Sequence, residues 1–280
     1  MPVRDDLGDR MKANYEGRSR YYLPRRSYTI IRVDGKAFHT FTRGCDRPFD
    51  ERLMRWMNET ALALCAQITG CRFAYVQSDE ISLLLTDFGT AQTEAWFDGN
   101  LSKILSISAS IATAAFNQTR LTDLFVTAAK RSDEEPPDHA AIVGAPFAQF
   151  DSRAFVIPDP VEVENYFIWR GQDATRNAVQ MLAQAHFPAS KLHGEDINTL
   201  QEMLWSEKGI NFNDLPAGKK RGRFVERITT LKDVEYTDRR TGEVHRAESV
   251  ARSEWIVTEP PIFTQDREFL RSRIPQVGAQ

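Results

Sequence analysis

The sequence predicts an α+β fold in which an antiparallel-rich central sheet is flanked by helices. Short β-branched runs alternate with longer segments whose apolar residues recur every three or four positions, and two strand-like runs are joined by a short polar insert. With 280 residues, of which 41% are hydrophobic, the chain is long enough to bury a substantial core.

The predicted elements follow one another along the chain. Strands are expected at residues 28–33, 71–77, 81–86 and 150–158, and helices at residues 50–70, 101–115, 161–185 and 199–208. Residues 131–147 are polar and rich in proline, which predicts a surface loop. Beyond residue 230 the patterning is weaker, so only short strands are expected there, with a turn at Thr241-Gly242.

Composition argues against a membrane or secreted protein. No run of 18 apolar residues occurs and the first thirty residues are polar, so neither a membrane span nor a secretory signal is expected. The three cysteines form no metal-binding or disulfide pattern, which is typical of thiols in a reducing compartment. We therefore expect a cytoplasmic protein without membrane contact.

Two basic clusters stand out against the overall net charge of −3, which argues against coating of nucleic acid by bulk charge. Residues 1–26 carry seven Lys or Arg against four acids, and a second cluster covers residues 219–227. Localised patches of this kind suit contact with a polyanion, although a charge run is more often a solvated face.

The most informative feature is a pair of acidic sites on separate predicted strands. Asp34 ends the first strand, and Asp79 and Glu80 lie in the turn of the predicted hairpin. Phosphoryl transfer needs divalent ions that bridge phosphate oxygens, and Mg²⁺ prefers one or two carboxylates together with phosphates and water. Because neighbouring strand residues point to opposite faces, we expect Asp79 to be the ligand, with Glu80 as a second ligand or a partner of the ligands.

An alternative is that these acids are ordinary turn residues, since Asp-Gly and Ser-Asp are common in turns for local reasons. Their joint arrangement favours a site. A strand that ends in Asp, a helix, and then a hairpin with acids at its tip is the layout of a polymerase-like palm. Gly35 lacks a Cβ and so allows the backbone to approach an ion or a triphosphate closely.

Six collinear segments carry a family resemblance. They are Ile31–Phe41, Tyr75–Ser82, Ser106–Ser110, Phe150–Phe155, Tyr166–Asp173 and Ile210–Pro216. Together they resemble the signature blocks of the tRNA(His) guanylyltransferase superfamily, over residues 5–225. The resemblance implies a palm-type catalytic core with a basic N-terminal segment (1–135), the remainder of the catalytic domain with RNA-contacting helices (136–230), and a C-terminal extension (231–280).

The resemblance also implies roles for individual residues. The catalytic acids would be Asp34, Asp79 and Glu80, with two Mg²⁺ ions held by Asp34, the Gly35 carbonyl and Asp79. The nucleoside triphosphate, GTP or ATP, would be bound by the backbone N–H groups of Lys36, Ala37, Phe38 and His39 and by Arg47, Asp50, Ser78 and Lys103. Expected RNA contacts are Arg25, Arg26, Trp169, Arg170, Arg176, Asn177, Lys219, Lys220 and Arg221. For Trp169 a place in the core is an equal alternative, and for Arg170 a structural ion pair.

The activity implied by the resemblance is template-dependent 3'-to-5' addition of nucleotides to the 5' end of tRNA, in which the 3'-hydroxyl of an incoming nucleotide attacks an activated RNA 5' end. Eukaryotic members carry His-Ile-Asn-Asn where this chain has Thr175-Arg176-Asn177-Ala178. The chain thus looks more like the bacterial and archaeal guanylyltransferase-like proteins, which are associated with 5'-end repair. The alternatives are addition of an untemplated guanosine to tRNA(His), a palm-type nucleotide cyclase, and a non-catalytic RNA-binding protein. A homotetramer is expected by resemblance only.

Overall fold

The computed structural model describes residues 5–131, 144, 146–237 and 239–277, and it is built around a six-stranded antiparallel sheet. The strands are β1 (Tyr28–Gly35), β2 (Cys71–Gln77), β3 (Glu80–Thr86), β4 (Phe150–Ile157), β5 (Arg223–Thr237) and β6 (Val244–Thr258). They are arranged in the order β4-β1-β3-β2-β5-β6. The predicted fold class, the hairpin and the antiparallel sheet are confirmed. The predicted loop over 131–147 lies mostly outside the described residues.

Helices cover both faces of this sheet. They are α1 (Asp6–Asn14), α2 (Phe38–Phe41), α3 (Glu51–Gln67), α4 (Leu101–Arg131), α5 (Pro160–His186), α6 (Ala189–Leu192), α7 (Ile197–Lys208), α8 (Ala217–Arg221) and α9 (Glu268–Arg271). All four predicted helices are present, and α4 runs further than expected. Among the described residues, none of these helices combines the length and apolarity that crossing a bilayer would require.

The alternation of side chains along the strands creates two cores. In β1, Ile31 and Val33 join the cluster beneath α3 and α4. Tyr28 and Ile30 point to the other face and pack against α5. Since neighbouring strand residues face opposite sides, each strand contributes to both cores. With both faces covered, polar groups gather where β1 and β2 stop and where β3, β4 and β5 begin, which we call the site end of the sheet.

The C-terminal region corrects one expectation. Strands β5 and β6 are 15 residues each, although only short strands were predicted. Only Arg223–Glu226 of β5 pair with β2, and beyond them the two strands form a largely exposed ribbon. A ribbon with neither face fully buried shows no hydrophobic alternation, so the pattern was weak.

The tail after β6 packs into the main core. Phe263, Leu270 and Ile274 are buried in the cluster on the α5 side. Glu164 of α5 accepts hydrogen bonds from Arg267 at 2.9 Å and Arg271 at 2.8 Å. The expected boundary at residue 230 falls inside β5, and the tail that follows β6 completes the core on the α5 side.

Candidate active site

The two predicted acidic sites meet at the site end of the sheet. The register pairs Asp34 with Glu80 of β3 and with Asp151 of β4. Gln77 pairs with Glu80, so Ser78 and Asp79 form a two-residue turn between β2 and β3. The Gly35 N–H donates to the Asp79 carbonyl at 3.1 Å, which joins this turn to the end of β1. Asp34 and Asp79 are thereby held next to each other.

The electrostatics of Asp79 reflect this closeness. Burial, together with the negative charges of Asp34 and Glu80, raises the pKa of Asp79 to about 6. Hydrogen bonds from its own backbone N–H and from Ser78 oppose that rise. Two carboxylates that repel each other in a partly buried site are stabilised together by a bound cation. Within the described residues, no group of three or more His, Cys, Asp or Glu side chains is placed to enclose a metal.

Glu80 forms an ion pair on the α5 side of the sheet. The residue is buried, with 9% of its surface exposed. Each of its two carboxylate oxygens accepts a hydrogen bond of 2.8 Å from the Arg170 guanidinium. Glu80 belongs to β3 and not to the turn, so its side chain points towards α5. The structure shows Glu80 in a buried ion pair with Arg170, and its expected role as a catalytic acid or a metal ligand stays a prediction.

The same contact explains Arg170, which was expected to bind RNA. Its guanidinium is buried, with 6% of the residue exposed, and also contacts Asp173 at 3.0 Å. A guanidinium enclosed by two carboxylates fits the structural ion pair that was the alternative to RNA binding, and the RNA contact stays a prediction. Trp169 is 46% exposed, so it is not a core residue, and its ring lies 4.4 Å from the Arg170 guanidinium carbon.

The loop after β1 carries the backbone amides that were expected to bind the triphosphate. The Lys36 N–H donates to the Gln149 carbonyl at 2.8 Å, so this amide is already engaged, and its expected contact with a phosphate stays a prediction. Ala37 is left-handed (φ 53°) and precedes α2. The N–H groups of Thr40 and Phe41 donate to the Ala37 carbonyl. The amides of Ala37, Phe38 and His39 thus occupy the first turn, where helix geometry supplies no intrahelical acceptor.

Packing explains the glycine in this loop. A Cβ on Gly35 would lie 2.2 Å from the ring of Phe38, which is buried against Phe41, Phe116 and Phe150. Gly35 therefore lets Phe38 anchor the loop, whatever ligand approaches its carbonyl. Ser78 also has a positive φ, of 46°. Together with Ala37 it places two non-glycine residues in a costly backbone conformation beside the acidic pair, as is common at functional sites.

A cavity of about 560 Å³ opens beside these residues, and it is lined by six of the expected nucleotide-binding residues: Ala37, Phe38, His39, Arg47, Asp50 and Ser78. Lys36 and Lys103 are not in its lining; Lys103 lies with its ammonium 5.7 Å from the Phe97 ring centroid. A second hollow of about 410 Å³ lies on the α5 side and includes Asp34 and Glu80. Asp79 and Asn177 line both, so the acidic pair stands between two spaces.

Asp50 lines the cavity, but its carboxylate is already engaged. It caps α3 by accepting from the N–H groups of Arg52 and Leu53, and it also accepts from the Asp46 N–H and the Arg52 guanidinium. Burial alone would raise the pKa of Asp50, but these hydrogen bonds outweigh that effect and hold the pKa well below its ordinary value. The structure thus shows Asp50 as the cap of α3, and the expected nucleotide contact stays a prediction.

The remaining expected RNA residues are dispersed. Arg25 and Arg26 precede β1 and so lie at the opposite end of the sheet from Asp34, where Arg25 contacts Asp87 at 2.7 Å and Asp98 at 3.1 Å. The Arg25 guanidinium is thereby engaged in ion pairs, whereas Arg26 is exposed, and the expected RNA contacts of both stay predictions. Arg176 is half-exposed and pairs with Asp173.

The basic cluster on α8 is also partly occupied. Lys219 forms an ion pair with Glu51, Lys220 donates to the Asn213 carbonyl, and Arg221 donates to the Pro260 carbonyl. Lys219 lines the larger cavity, so α8 forms one of its walls.

Three residues at the site end were not singled out from the sequence. Arg153 lies 3.8 Å from Asp34 and 3.9 Å from Asp151, and Arg223 lines the larger cavity. Asp151 and Arg153 lie in the segment Phe150–Phe155 that carried part of the resemblance, which was a usable signal. Arg223 lies within the basic cluster over residues 219–227, and nothing in the sequence distinguishes it from the other basic residues there.

These features define a class. An antiparallel sheet with helices on both faces and two aspartates at adjacent strand ends is the arrangement of a palm-type nucleotidyltransferase domain. The family model for tRNAHis guanylyltransferase matches residues 8–158 of the chain.

Individual relatives agree. A bacterial tRNA(His) guanylyltransferase-like protein solved in complex with ATP is 39% identical, with a TM-score of 0.76, covering 96% of this chain and 99% of that one. A structure of such a protein with GTP is 37% identical, with a TM-score of 0.72, covering 97% of this chain and 100% of that one. The tRNA(His) guanylyltransferase of Saccharomyces cerevisiae is 30% identical over 71% of this chain and 82% of its own length. The chain belongs to the tRNA(His) guanylyltransferase family.

Proposed function

We propose that this protein adds nucleotides to the 5' end of tRNA in the 3'-to-5' direction, using a complementary strand as template. The observation that carries the proposal is the placement of Asp34 and Asp79 at adjacent strand ends. Asp79 lines both the cavity of about 560 Å³ and the hollow of about 410 Å³ that Asp34 also lines. Family membership and the ATP and GTP complexes of the similar bacterial proteins support a nucleoside triphosphate as the substrate.

The residues present fit two Mg²⁺ ions. Burial and the nearby charge of Asp34 raise the pKa of Asp79, and a bound cation would offset both effects. Asp34, Asp79 and the Gly35 carbonyl are hard oxygen donors, and phosphates and water would complete the shell in the manner of Mg²⁺ sites. Bound Mg²⁺ would stabilise charge on phosphate oxygens and lower the pKa of an attacking hydroxyl.

The chain itself would position the reactants. The first-turn amides of Ala37, Phe38 and His39 would receive the triphosphate at the wall of the cavity, and Phe38 would keep them in place through its aromatic packing. The exposed guanidinium of Arg47 lies on the same wall and would add a charge-assisted contact.

The two spaces that meet at Asp79 support a reaction between two phosphate-bearing molecules. One reactant would occupy the larger cavity and the other the hollow on the α5 side, with the acidic pair at the junction. Asn177 faces both spaces and belongs to the stretch that departs from the eukaryotic pattern, which favours repair of truncated tRNA over obligatory addition to tRNA(His).

Primer extension tests the proposal. The protein is incubated with Mg²⁺, labelled nucleoside triphosphates and a tRNA lacking its first 5' nucleotide, in parallel with mature tRNA(His). We expect 5' extension of the truncated tRNA by a nucleotide complementary to the opposing strand, and no extension by Asp34→Asn or Asp79→Asn. Asp98→Asn serves as the matched control, because Asp98 is exposed and lies with Arg25 far from the site.

Other products would favour other functions. Addition of guanosine to tRNA(His) regardless of the opposing base would support the untemplated activity, and a cyclic nucleotide would support a cyclase. Binding of tRNA without extension by any form of the protein would contradict the proposal.

Assembly and location complete the proposal. A homotetramer is proposed from the family resemblance and from exposed apolar side chains on the β5–β6 ribbon, Leu231, Tyr236 and Val244. Light scattering of the purified protein measures its mass directly. A cytoplasmic location is proposed because all three cysteines are free thiols; cell fractionation tests it.

A further inference from the structure

A buried arginine without a carboxylate partner lines the larger cavity. Arg223, the first residue of β5, is 7% exposed. Its Nε donates to the Asn58 side-chain oxygen at 2.9 Å, whereas its Nη2 is buried and has no hydrogen-bond partner. Within the described part of the chain Arg223 forms no ion pair, in contrast to Lys219, which shares the cavity wall and pairs with Glu51.

A buried guanidinium costs free energy unless an acceptor group pairs with it. Burial lowers the pKa of Arg223 to about 10, with only partial compensation from Tyr75 and Glu51, so the side chain is still charged at neutral pH. A buried charge with an unmade hydrogen bond is destabilising, so a ligand that supplied the missing partner would relieve this cost. For a guanidinium the matching ligand is a planar or tetrahedral oxyanion, above all phosphate.

The position of Arg223 in the sheet indicates which phosphate group it would bind. Arg223 pairs with Val76 of β2 and so begins its strand at the site end of the sheet. Three strand spacings separate β5 from β1, which is on the order of 14 Å. That separation is wider than one triphosphate chain. If the amides of α2 beside β1 hold one triphosphate, Arg223 lies beyond its reach and is available to a different phosphate.

We propose that Arg223 is an anion-binding residue that receives a phosphate group of the second reactant. This inference rests on the proposed function, in which two phosphate-bearing molecules meet at Asp34 and Asp79. The phosphate has two sources with the same chemistry: the 5' end of the RNA, or the triphosphate of a nucleotide that activates it.

Equilibrium binding by calorimetry tests the inference without requiring activity. The ligands are inorganic tripolyphosphate, GTP, guanosine, and two tRNA transcripts that carry either a 5'-monophosphate or a 5'-hydroxyl. The variants are Arg223→Met, which removes the charge but keeps an unbranched side chain, and Arg227→Met, a control on the same strand whose arginine is exposed.

We expect Arg223→Met to weaken phosphate binding by about 10- to 100-fold, the effect of losing one charge-assisted hydrogen bond or a bidentate pair. If the nucleotide is the source, tripolyphosphate and GTP lose affinity and guanosine does not. If the RNA is the source, the parent prefers the 5'-monophosphate transcript and the variant loses that preference. Arg227→Met should behave like the parent in every arm.

Unchanged affinity of Arg223→Met for every ligand would overturn the inference. Should this variant fail to fold, Arg223→Gln gives the same readings, since its amide can keep a hydrogen bond with Asn58. Failure of the proposed function would look different. The parent would then lack nucleotide addition while Arg223→Met still lost phosphate affinity.

Discussion

Replacing Asp79 with Asn tests the charge arrangement at the site end of the sheet. In the ligand-free protein, burial and the nearby charge of Asp34 raise the pKa of Asp79 from 3.8 to about 6. This difference corresponds to about 3 kcal/mol against the ionised form at neutral pH. It is an upper limit, because Asp79 keeps some contact with solvent. Asn has the same shape without the charge, so ligand-free Asp79→Asn should be more stable than the parent at pH 8.

The stability difference should depend on pH with a defined sign. Asp79 binds its proton more tightly in the folded state, with a pKa of about 6, than in the unfolded chain, with a pKa of 3.8. The parent therefore gains stability relative to the variant as the pH falls through this window, and the difference disappears below it. For a chain of this length, 3 kcal/mol corresponds to a melting temperature higher by roughly 5–10 °C at pH 8.

Thermal unfolding followed by circular dichroism in EDTA, from pH 4 to pH 8, measures this difference. Asp98→Asn is the control, because the Asp98 side chain is 74% exposed, and its stability should follow the parent across the range. Adding Mg²⁺ with GTP should raise the melting temperature of the parent and not that of Asp79→Asn. A variant less stable than the parent at pH 8, or a difference that does not change with pH, would refute the reasoning.

Three further substitutions probe the supports of the site. Gly35→Ala places a Cβ 2.2 Å from the Phe38 ring, so overpacking should lower the free energy of unfolding in urea by about 1–3 kcal/mol and weaken GTP binding. If stability and GTP affinity equal those of the parent, the Phe38 ring moves aside without cost. Arg170→Ala leaves the buried Glu80 carboxylate without its partner and should destabilise the fold by about 3–5 kcal/mol, with much of this recovered when Glu80→Gln is added. Asp50→Ala removes the cap of α3 and should cost about 1–2 kcal/mol, and a stability equal to the parent would contradict the capping role.

Local features of the sequence predicted most of the elements correctly. Strand β1 ends where Asp34-Gly35 signals a turn, and α3 begins directly after its capping residue Asp50. These predictions succeeded because caps, turns and hydrophobic periodicity act within a few residues of each other. The β5–β6 ribbon escaped prediction because a strand exposed on both faces has no alternation to detect, and pairing with a distant strand decides its existence.

For the site, the sequence by itself determined which acids stand at strand ends and in the hairpin turn, and its collinear segments determined the family. Only the tertiary structure decided what each side chain meets. Glu80 pairs with Arg170, and the Asp50 carboxylate accepts a hydrogen bond from the Arg52 guanidinium. Among the described residues, Arg223 is buried without a counter-ion. The physical reason is that the charge state and availability of a polar group depend on neighbours brought from far along the chain, and such contacts leave no trace in local spacing.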